Sequence, residues 1–148
     1  MIADQWCETT WQAQPGSFVG LMTLYESNFV RLRWLVHDLR AIRIRTASKS
    51  ATDCDLYLTP VELSRYTSLF RLTYEFGEAA ACIRDPDIEV CVYHDARLAE
   101  VRSFRGFQRH PQLSRLQTRL KRELDQRWAR NMMLNKWLEY CAERGHRF

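Results

Sequence analysis

The spacing of apolar residues changes along this chain, and each change predicts a different element of secondary structure. From residue 18 to residue 39 the apolar positions recur at steps of three and four, which is the period of an amphipathic helix. The preceding "PGS" contains Ser17, a residue type that caps helix N-termini well. We therefore predict a helix over residues 17–40. Its buried stripe would consist of Phe18, Leu21, Tyr25, Phe29, Leu32, Val36 and Leu39.

Branched and aromatic residues replace the helical period in the middle of the chain. The β-like segments lie at 55–63, 66–76, 88–96 and 98–104. Within the second segment the apolar residues share one parity, which predicts one buried and one solvated face. The connections are short, and short connections favour antiparallel pairing. The polar run "TASKSATD" before the first segment predicts a loop, and "RDPD" at 84–87 predicts a turn.

The C-terminal part carries the longest helical pattern, over residues 112–143. Pro111 precedes it and Gly145 follows it, as is typical of helix ends. The resulting order of one helix, four strands and a second helix predicts an α+β fold. We expect a four-stranded antiparallel sheet over residues 55–104, with the N-terminal helix and the long C-terminal helix packed on one face.

Composition restricts the chain to the globular class. Hydrophobic residues make up 46% of it and charged residues 27%, so a core can form and disorder is disfavoured. The length of 148 residues predicts a single domain over residues 1–148. Residues 1–14 show no clear period, and we predict that they form a loose arm.

Cysteine usage and the lack of targeting signals bear on the compartment. There are five cysteines, an odd number with no C-x-x-C pair, which argues against a disulfide framework and against a zinc site. The N-terminus has neither the basic start nor the apolar run of a signal peptide. No stretch approaches the roughly 20 apolar residues of a membrane span. We therefore expect a cytoplasmic protein with no metal, no cofactor and no membrane contact.

Two polar residues fall on the apolar line of the predicted C-terminal helix. At 100° per residue, Arg127 and Asn131 share the face of the helix's leucines and lie one turn apart. A buried arginine requires an acceptor, because an unpaired buried charge is costly. Asn28, at the edge of the first helix's stripe, would join this cluster. The acceptor would belong to a ligand, as a carboxylate or phosphate, or to one of Glu62, Asp95 and Glu100.

Three interpretations of Arg127 are open on this basis. It forms an internal salt bridge between helix and sheet, or it is the bidentate anchor of an anion pocket, or the helix kinks nearby and the side chain is exposed. Under the second interpretation the candidate ligand-binding residues are Asn28, Glu62, His94, Asp95, Glu100, Arg127 and Asn131.

The segment "VYHDARLAEVRSF" at 92–104 puts a tyrosine, a histidine and two carboxylates close together. As chemistry, His94 could act as a general base oriented by Asp95. Adjacent strand residues point to opposite faces, however, and aspartate is favoured in turns. No serine or cysteine lies in a nucleophile elbow. We therefore predict the corner of a β-hairpin, assign no catalytic residue and lean towards a protein that is not an enzyme.

A basic segment extends from Arg102 to Arg122, with Phe104 and Phe107 among its cations. Such a segment could contact phosphates and stack on bases. Acidic residues follow it directly and the formal net charge is only +4, so nucleic-acid binding is the third hypothesis and is disfavoured.

Four segments of this chain resemble one family of bacterial proteins. They are "LYESNFVRLRWL" at 24–35, "VELSRYTSL" at 61–69, "VYHDARLAEV" at 92–101 and "LNKWLEYCAERG" at 134–145. On these segments the chain resembles the YqiB-like family, a domain of unknown function numbered 1249, from about Leu24 to Gly145. The resemblance implies a bacterial cytoplasmic setting and no known activity.

Just before the last of these segments, the sequences of the resembled family read approximately D-E-K-x-x-x-N. This chain differs from that pattern at two positions. Gln126 replaces the acid and Arg127 the lysine, whereas Asp125 and Asn131 match. A role that needs a cation is retained, and a role that needs the carboxylate is not implied. Our first hypothesis is a non-enzymatic binding or regulatory module with a protein partner or a second copy of the chain. The alternative is a small enzyme or a pocket for a nucleotide or other anion, centred on Arg127.

Overall fold

The computed structural model describes residues 17–76 and 82–148, and the arm predicted at 1–14 lies outside them. Within this part the fold is α+β, as predicted. A first helix is followed by a short 3₁₀ turn, five strands and two further helices. The elements are α1 (Phe18–Leu35), the turn (Leu39–Ala41), β1 (Thr46–Ser50), β2 (Asp53–Leu63), β3 (Thr67–Phe76), β4 (Ile83–Tyr93), β5 (Leu98–Arg105), α2 (Pro111–Glu123) and α3 (Gln126–Glu143).

Helix α1 begins where the sequence predicts and ends early. The Ser17 side chain caps it by accepting the backbone N–H three residues further on, at 3.0 Å. The last helical residue is Leu35, because Val36 is extended and ends the hydrogen-bond series. Val36 and Leu39 are nevertheless buried, as their spacing predicted. Phe18 is not part of the buried stripe, since it is 75% exposed at the first turn of the helix.

The sheet is an antiparallel meander whose strands are neighbours in chain order, β1-β2-β3-β4-β5. The prediction of four strands was wrong, because the polar run "TASKSATD" is not a loop. Its first five residues form β1 and pair with β2. Only Ser48 of these five residues is buried. An edge strand of this kind is held by backbone hydrogen bonds to one neighbour, so it shows no apolar alternation that sequence analysis could detect.

The turn predicted at 84–87 was also wrong, since this segment lies within β4. Two residues of β4, Asp85 and Pro86, lie opposite the single residue Tyr74 of β3. The extra residue makes a β-bulge, which is one of the few places in a sheet where proline fits. The strand therefore continues through a proline that reads as a turn signal when only the sequence is considered.

The core lies between one face of the sheet and the helices. Trp137 of α3 packs edge-on against Tyr74 and Phe107, with ring centroids 5.3 and 5.4 Å apart. The opposite face of the sheet is polar, and Arg71 forms ion pairs there with Asp87 and Glu89. The predicted helix packing on one face is consistent with this arrangement. The core-facing residues of the inner strands, at most 1% exposed, are Leu56, Leu58, Phe70, Leu72, Tyr74, Ile88, Val90 and Val92.

The prediction of one unbroken helix over residues 112–143 was wrong. Leu124 is extended, with φ −125° and ψ 157°, and it separates α2 from α3. Asp125 then caps α3 by accepting the Trp128 N–H at 3.0 Å. Because α2 and α3 pack against each other as separate helices, the leucines from 113 to 138 do not lie on one continuous line. Among the helices of the described residues, none has the length and apolar character that a membrane crossing requires.

Candidate functional site

Asparagine side chains cover the free edge of the sheet at β5. Asn131 accepts the Val101 N–H at 2.9 Å, and Asn28 donates to the Ala99 carbonyl at 3.2 Å. The two amides also bond to each other at 3.3 Å, and both are at most 2% exposed. The edge of a sheet presents unpaired backbone groups, which need partners once they are buried. The side chains of two residues predicted as ligand contacts, Asn28 and Asn131, thus form hydrogen bonds with the backbone of β5.

The row of buried amides continues one turn further along α3, at a residue that the sequence analysis missed. The Asn135 amide donates to Asn28 Oδ1 at 3.1 Å and to Ser27 Oγ at 3.0 Å. Asn135 lies four residues after Asn131 and so shares its face of the helix. This four-residue spacing is the feature of the sequence from which Asn135 could have been predicted to join the cluster. The buried polar row therefore extends from Asn131 towards Asn135 and not towards Arg127.

Arg127 is exposed, so the prediction of a buried arginine was wrong. Helix α3 begins at Gln126, which places Arg127 in the first turn, at the surface. Only its carbonyl joins the polar row, by accepting from the Asn131 amide at 2.9 Å. None of the ion pairs within residues 17–76 and 82–148 includes Arg127. Its guanidinium is therefore available to an acceptor from solution.

Arg127 lines a surface cleft together with two further arginines, Arg102 of β5 and Arg130 of α3. The cleft has a volume of about 370 Å³, and the rest of its wall is formed by Tyr25, Glu100, Val101, Gln126 and Asn131. We call it the Arg127 cleft. Like Arg127, the other two arginines have no ion-pair partner among the described residues. Three unpaired cations therefore converge on one concave surface.

An apolar hollow of about 370 Å³ adjoins the Arg127 cleft. Tyr25, Glu100 and Arg127 line both spaces and form the boundary between them. Together the two spaces make one concave surface with a cationic end and an apolar end. The remaining wall of the hollow is formed by Phe18, Leu21, Met22, Tyr93, Ala96 and Leu98.

Two tyrosines, rather than an arginine, contact Glu100. The Tyr93 hydroxyl donates to its carboxylate at 2.5 Å, and this hydrogen bond is the largest cause of a raised pKa at Tyr93. Burial, and next the charge of Glu100, raise the pKa of Tyr25 to about 12. Both phenols are therefore protonated at neutral pH and able to donate. Glu100 is satisfied by neutral donors, and it does not form an ion pair with the arginines of the Arg127 cleft.

The remaining predicted site residues lie elsewhere. Glu62 is exposed on β2. His94 and Asp95 lie in the β4–β5 turn, at the hairpin corner predicted for them, and neither lines the Arg127 cleft. His94 Nε2 is 2.8 Å from Ser68 Oγ, and Asp95 is 3.8 Å from Arg40. Four of the predicted residues thus lie together where α1 and α3 meet β5, and three lie apart from them.

The basic segment at 102–122 includes the end of β5, a loop and most of α2. Phe107 is 1% exposed and belongs to the core, so it is not available to stack on a base. The nucleic-acid hypothesis therefore loses one of its two aromatic contacts. Within residues 17–76 and 82–148, no group of three or more His, Cys, Asp or Glu side chains is arranged to hold a metal ion.

A buried serine–histidine–aspartate cluster holds the C-terminal tail, and the sequence analysis missed it. His146 Nδ1 lies 3.0 Å from Ser48 Oγ, and His146 Nε2 lies 2.9 Å from Asp53 Oδ2. The Tyr74 hydroxyl also donates to Asp53, at 2.6 Å. No motif spacing could reveal this cluster, because the three residues come from β1, β2 and the chain end.

This cluster is structural rather than catalytic. In a catalytic triad the imidazole meets serine through Nε2 and aspartate through Nδ1, and here the two nitrogens are exchanged. Ser48 and His146 are 5% and 1% exposed, out of reach of a substrate. Burial alone would raise the pKa of Asp53, but hydrogen bonds from His146 and Tyr74 outweigh it and hold that pKa below its usual value. The tail is thus fastened across β1 and β2.

Comparison with known proteins agrees with the resemblance found in the four quoted segments. The chain matches the family described as "Protein of unknown function (DUF1249)" over residues 31–147. It is 31% identical over 128 residues to the uncharacterized protein YqiB of Escherichia coli strain K12, covering 86% of this chain and 90% of that protein. YqiB of Escherichia coli O157:H7 matches equally well. No solved structure matches the chain at a significant level. The chain therefore belongs to the DUF1249 family of proteins of unknown function.

Proposed function

We propose that this protein is a non-enzymatic binding module whose Arg127 cleft holds a small anion with an apolar body. The observation that carries the proposal is the convergence of Arg102, Arg127 and Arg130 without an ion-pair partner among the described residues. Arginine is suited to this role, because its planar guanidinium donates two parallel hydrogen bonds to a carboxylate or phosphate.

The charge balance of the Arg127 cleft supports an anionic ligand. Three guanidiniums and the single carboxylate of Glu100 line it, and that carboxylate already accepts from Tyr93. The arginines are held in different elements, Arg102 on β5 and the other two on α3, so they approach a ligand from two sides. A bound anion would offset the repulsion among them, which no acidic side chain within the described residues offsets through an ion pair.

The adjoining hollow supports a ligand that is larger than a simple ion. Its wall combines the side chains of Leu21, Met22 and Leu98 with the ring of Tyr93. Binding sites for small molecules are commonly built in this way, from an apolar surface and a few polar groups that fix the orientation. We therefore expect the anionic group at the arginines and a hydrocarbon or aromatic body in the hollow.

The chemistry of the lining favours binding over catalysis. None of the described residues that line the Arg127 cleft or the hollow is a serine, cysteine, histidine or lysine. Nucleophilic and general-base catalysis mostly use those side chains. Glu100 is the one carboxylate among the lining residues, and two protonated tyrosines act on it.

Titration of phenyl phosphate into the wild-type protein tests the proposal, with calorimetry for affinity and the Tyr25 ring resonances as a local probe. We expect Arg127→Gln to weaken binding roughly 10- to 100-fold, since a hydrogen bond to a charged group contributes about 1.5–3 kcal/mol. Arg119→Gln, an exposed change on α2, is the matched control and should bind as the wild type does. Circular dichroism establishes that both variants keep their fold.

A second comparison tests the apolar half. Phenyl phosphate should perturb the Tyr25 resonances at a lower concentration than inorganic phosphate does, and Met22→Ser should reduce that advantage. The proposal is wrong if Arg127→Gln and the wild type bind phenyl phosphate with the same affinity, or if saturating phenyl phosphate leaves the Tyr25 signals unchanged.

A further inference from the structure

A second cleft lies where the 3₁₀ turn, the β2–β3 connection and the β4–β5 turn meet. Its volume is about 330 Å³. It shares no lining residue with the Arg127 cleft, so its properties are independent of the function proposed above. We call it the His94 cleft. Its wall consists of Arg40, Arg43, Leu63, Ser64, Arg65, Ser68 and His94.

The His94 cleft carries an excess of positive charge. Three arginines line it, and the acid that approaches one of them is Asp95, 3.8 Å from Arg40. The Asp95 side chain is 70% exposed, and an ion pair in such a position contributes little. Arg43 and Arg65 take part in none of the ion pairs found within the described residues. The residues that line the cleft thus include three arginines and no carboxylate, and the carboxylates of Asp38 and Asp95 lie beside Arg40.

The inner wall of the His94 cleft offers neutral hydrogen-bonding groups. Ser68 is 4% exposed, and its hydroxyl lies 2.8 Å from His94 Nε2. Burial lowers the pKa of His94, the charge of Arg40 lowers it further, and Asp95 opposes both. The imidazole is therefore neutral at pH 7, with one ring nitrogen directed at the serine. A bound anion would therefore contact neutral hydrogen-bonding groups at this wall, and no carboxylate among the lining residues would have to move.

One side-chain and one backbone hydrogen bond join the segments that form the His94 cleft, and the side-chain donor is the Arg40 guanidinium. Arg40 donates to the Arg65 carbonyl at 2.8 Å, which joins the 3₁₀ turn to the β2–β3 connection. The His94 N–H donates to the Tyr66 carbonyl at 2.9 Å, which joins that connection to the β4–β5 turn. All three segments are thus linked before any ligand binds. A site arranged in advance loses less entropy on binding.

We propose that the His94 cleft is a binding site for the dianionic phosphate group of a small phosphorylated molecule. The excess of arginine in the lining suits a phosphate monoester, which is a dianion at neutral pH. Arg43 and Arg65, which both line the cleft, would donate to the phosphate oxygens, as guanidinium groups do at phosphate sites. The volume leaves room beyond the phosphate for the alcohol part of the molecule.

The test uses the full-length protein and the NMR signals of the His94 ring, titrated at constant ionic strength with inorganic phosphate and with glycerol 3-phosphate. We expect both to shift the signals saturably. They should also raise the pKa of His94, because a bound dianion favours the imidazolium form. Arg43→Gln and, separately, Arg65→Gln should weaken the binding at least 10-fold. Both variants leave the Arg65 backbone carbonyl in place, so the contact that it makes with Arg40 is available in each of them.

Two controls separate this site from the other one. Arg119→Gln should bind both phosphates as the wild type does, and Arg127→Gln should leave the His94 response unchanged while it weakens binding of phenyl phosphate at the Arg127 cleft. Glycerol 3-phosphate is expected to bind at least as tightly as inorganic phosphate, and weaker binding would mean that the cleft takes the free ion. The inference is overturned if saturating phosphate does not move the His94 signals, or if both Arg43→Gln and Arg65→Gln bind as the wild type does.

Discussion

Replacing Asn131 by leucine tests how the edge of the sheet is held. The Asn131 side chain accepts the Val101 N–H and one hydrogen of the Asn28 amide, at 2.9 and 3.3 Å. Leucine has a similar volume but cannot accept a hydrogen bond. The Val101 N–H and one Asn28 amide hydrogen would therefore be left without an acceptor at a buried position. The backbone of residue 131 is unchanged, so the helix itself should persist.

The expected cost follows from those two donors. Each buried donor left without a partner costs about 1–3 kcal/mol, and the added apolar contact of leucine returns part of it. We expect a loss of about 2–4 kcal/mol in the free energy of unfolding, which is a large share of the roughly 5–15 kcal/mol that holds a domain together. For a chain of this size the melting temperature should fall by roughly 5–15 °C.

Urea unfolding followed by circular dichroism measures this loss. The matched control is Gln126→Leu, the same kind of change five residues earlier on α3, where the side chain is exposed. Changes at such positions usually alter stability by less than about 0.5 kcal/mol. Asn131→Leu with an unfolding midpoint equal to that of Gln126→Leu would refute the role assigned to Asn131. That result would return Asn131 to the set of candidate ligand contacts.

Three further predictions concern charge. Asp53→Asn should destabilise the protein at pH 7, because a carboxylate with a lowered pKa stabilises the fold while it is ionised. The difference should shrink below pH 3.8 and be lost as the pH falls through the lower pKa that Asp53 has in the folded protein. Urea midpoints measured down to pH 2 that kept a constant gap would contradict this. Arg127→Leu should melt within a few degrees of Arg119→Ala, because both arginines are exposed, and a much lower melting temperature would mean that Arg127 is buried after all. Glu100→Gln should lower the pKa of Tyr25 from about 12, since burial remains but the neighbouring negative charge is lost; an unchanged titration of the Tyr25 ring signals would show that the carboxylate does not act on it.

The structure brings together some of the residues predicted as ligand contacts and separates others, and the reasons differ from residue to residue. The structure brings Asn28, Glu100, Arg127 and Asn131 near one another, and their binding of a ligand stays a prediction. The contact of the two asparagines with the edge of β5 was not predicted, because no sequence pattern says which strand ends a sheet. The three cations of the Arg127 cleft come from β5 and α3, and they approach one another only because α3 runs beside that strand.

Local chemistry determined the elements that the sequence predicted well. Helix α1 follows from a stripe of apolar residues behind a serine cap, and β2–β5 follow from alternation or from branched residues between short connections. These features depend on residues that are close in sequence, so they can be recognised without knowledge of the tertiary structure. The α+β class and the antiparallel order followed from the same signals.

Tertiary structure alone decided the features that depend on distant neighbours. The helical spacing extends through Leu124 to Arg127, Asn131 and Leu134, yet Leu124 is extended and Asp125 caps a new helix, so α2 and α3 pack against each other as separate helices. Polar β1 is a strand because β2 and the C-terminal tail give its backbone and Ser48 their partners. Asp53 and His146 are joined across 93 positions of the chain. Burial and charge pairing depend on which segments meet in space, and the sequence does not display that until the chain has folded.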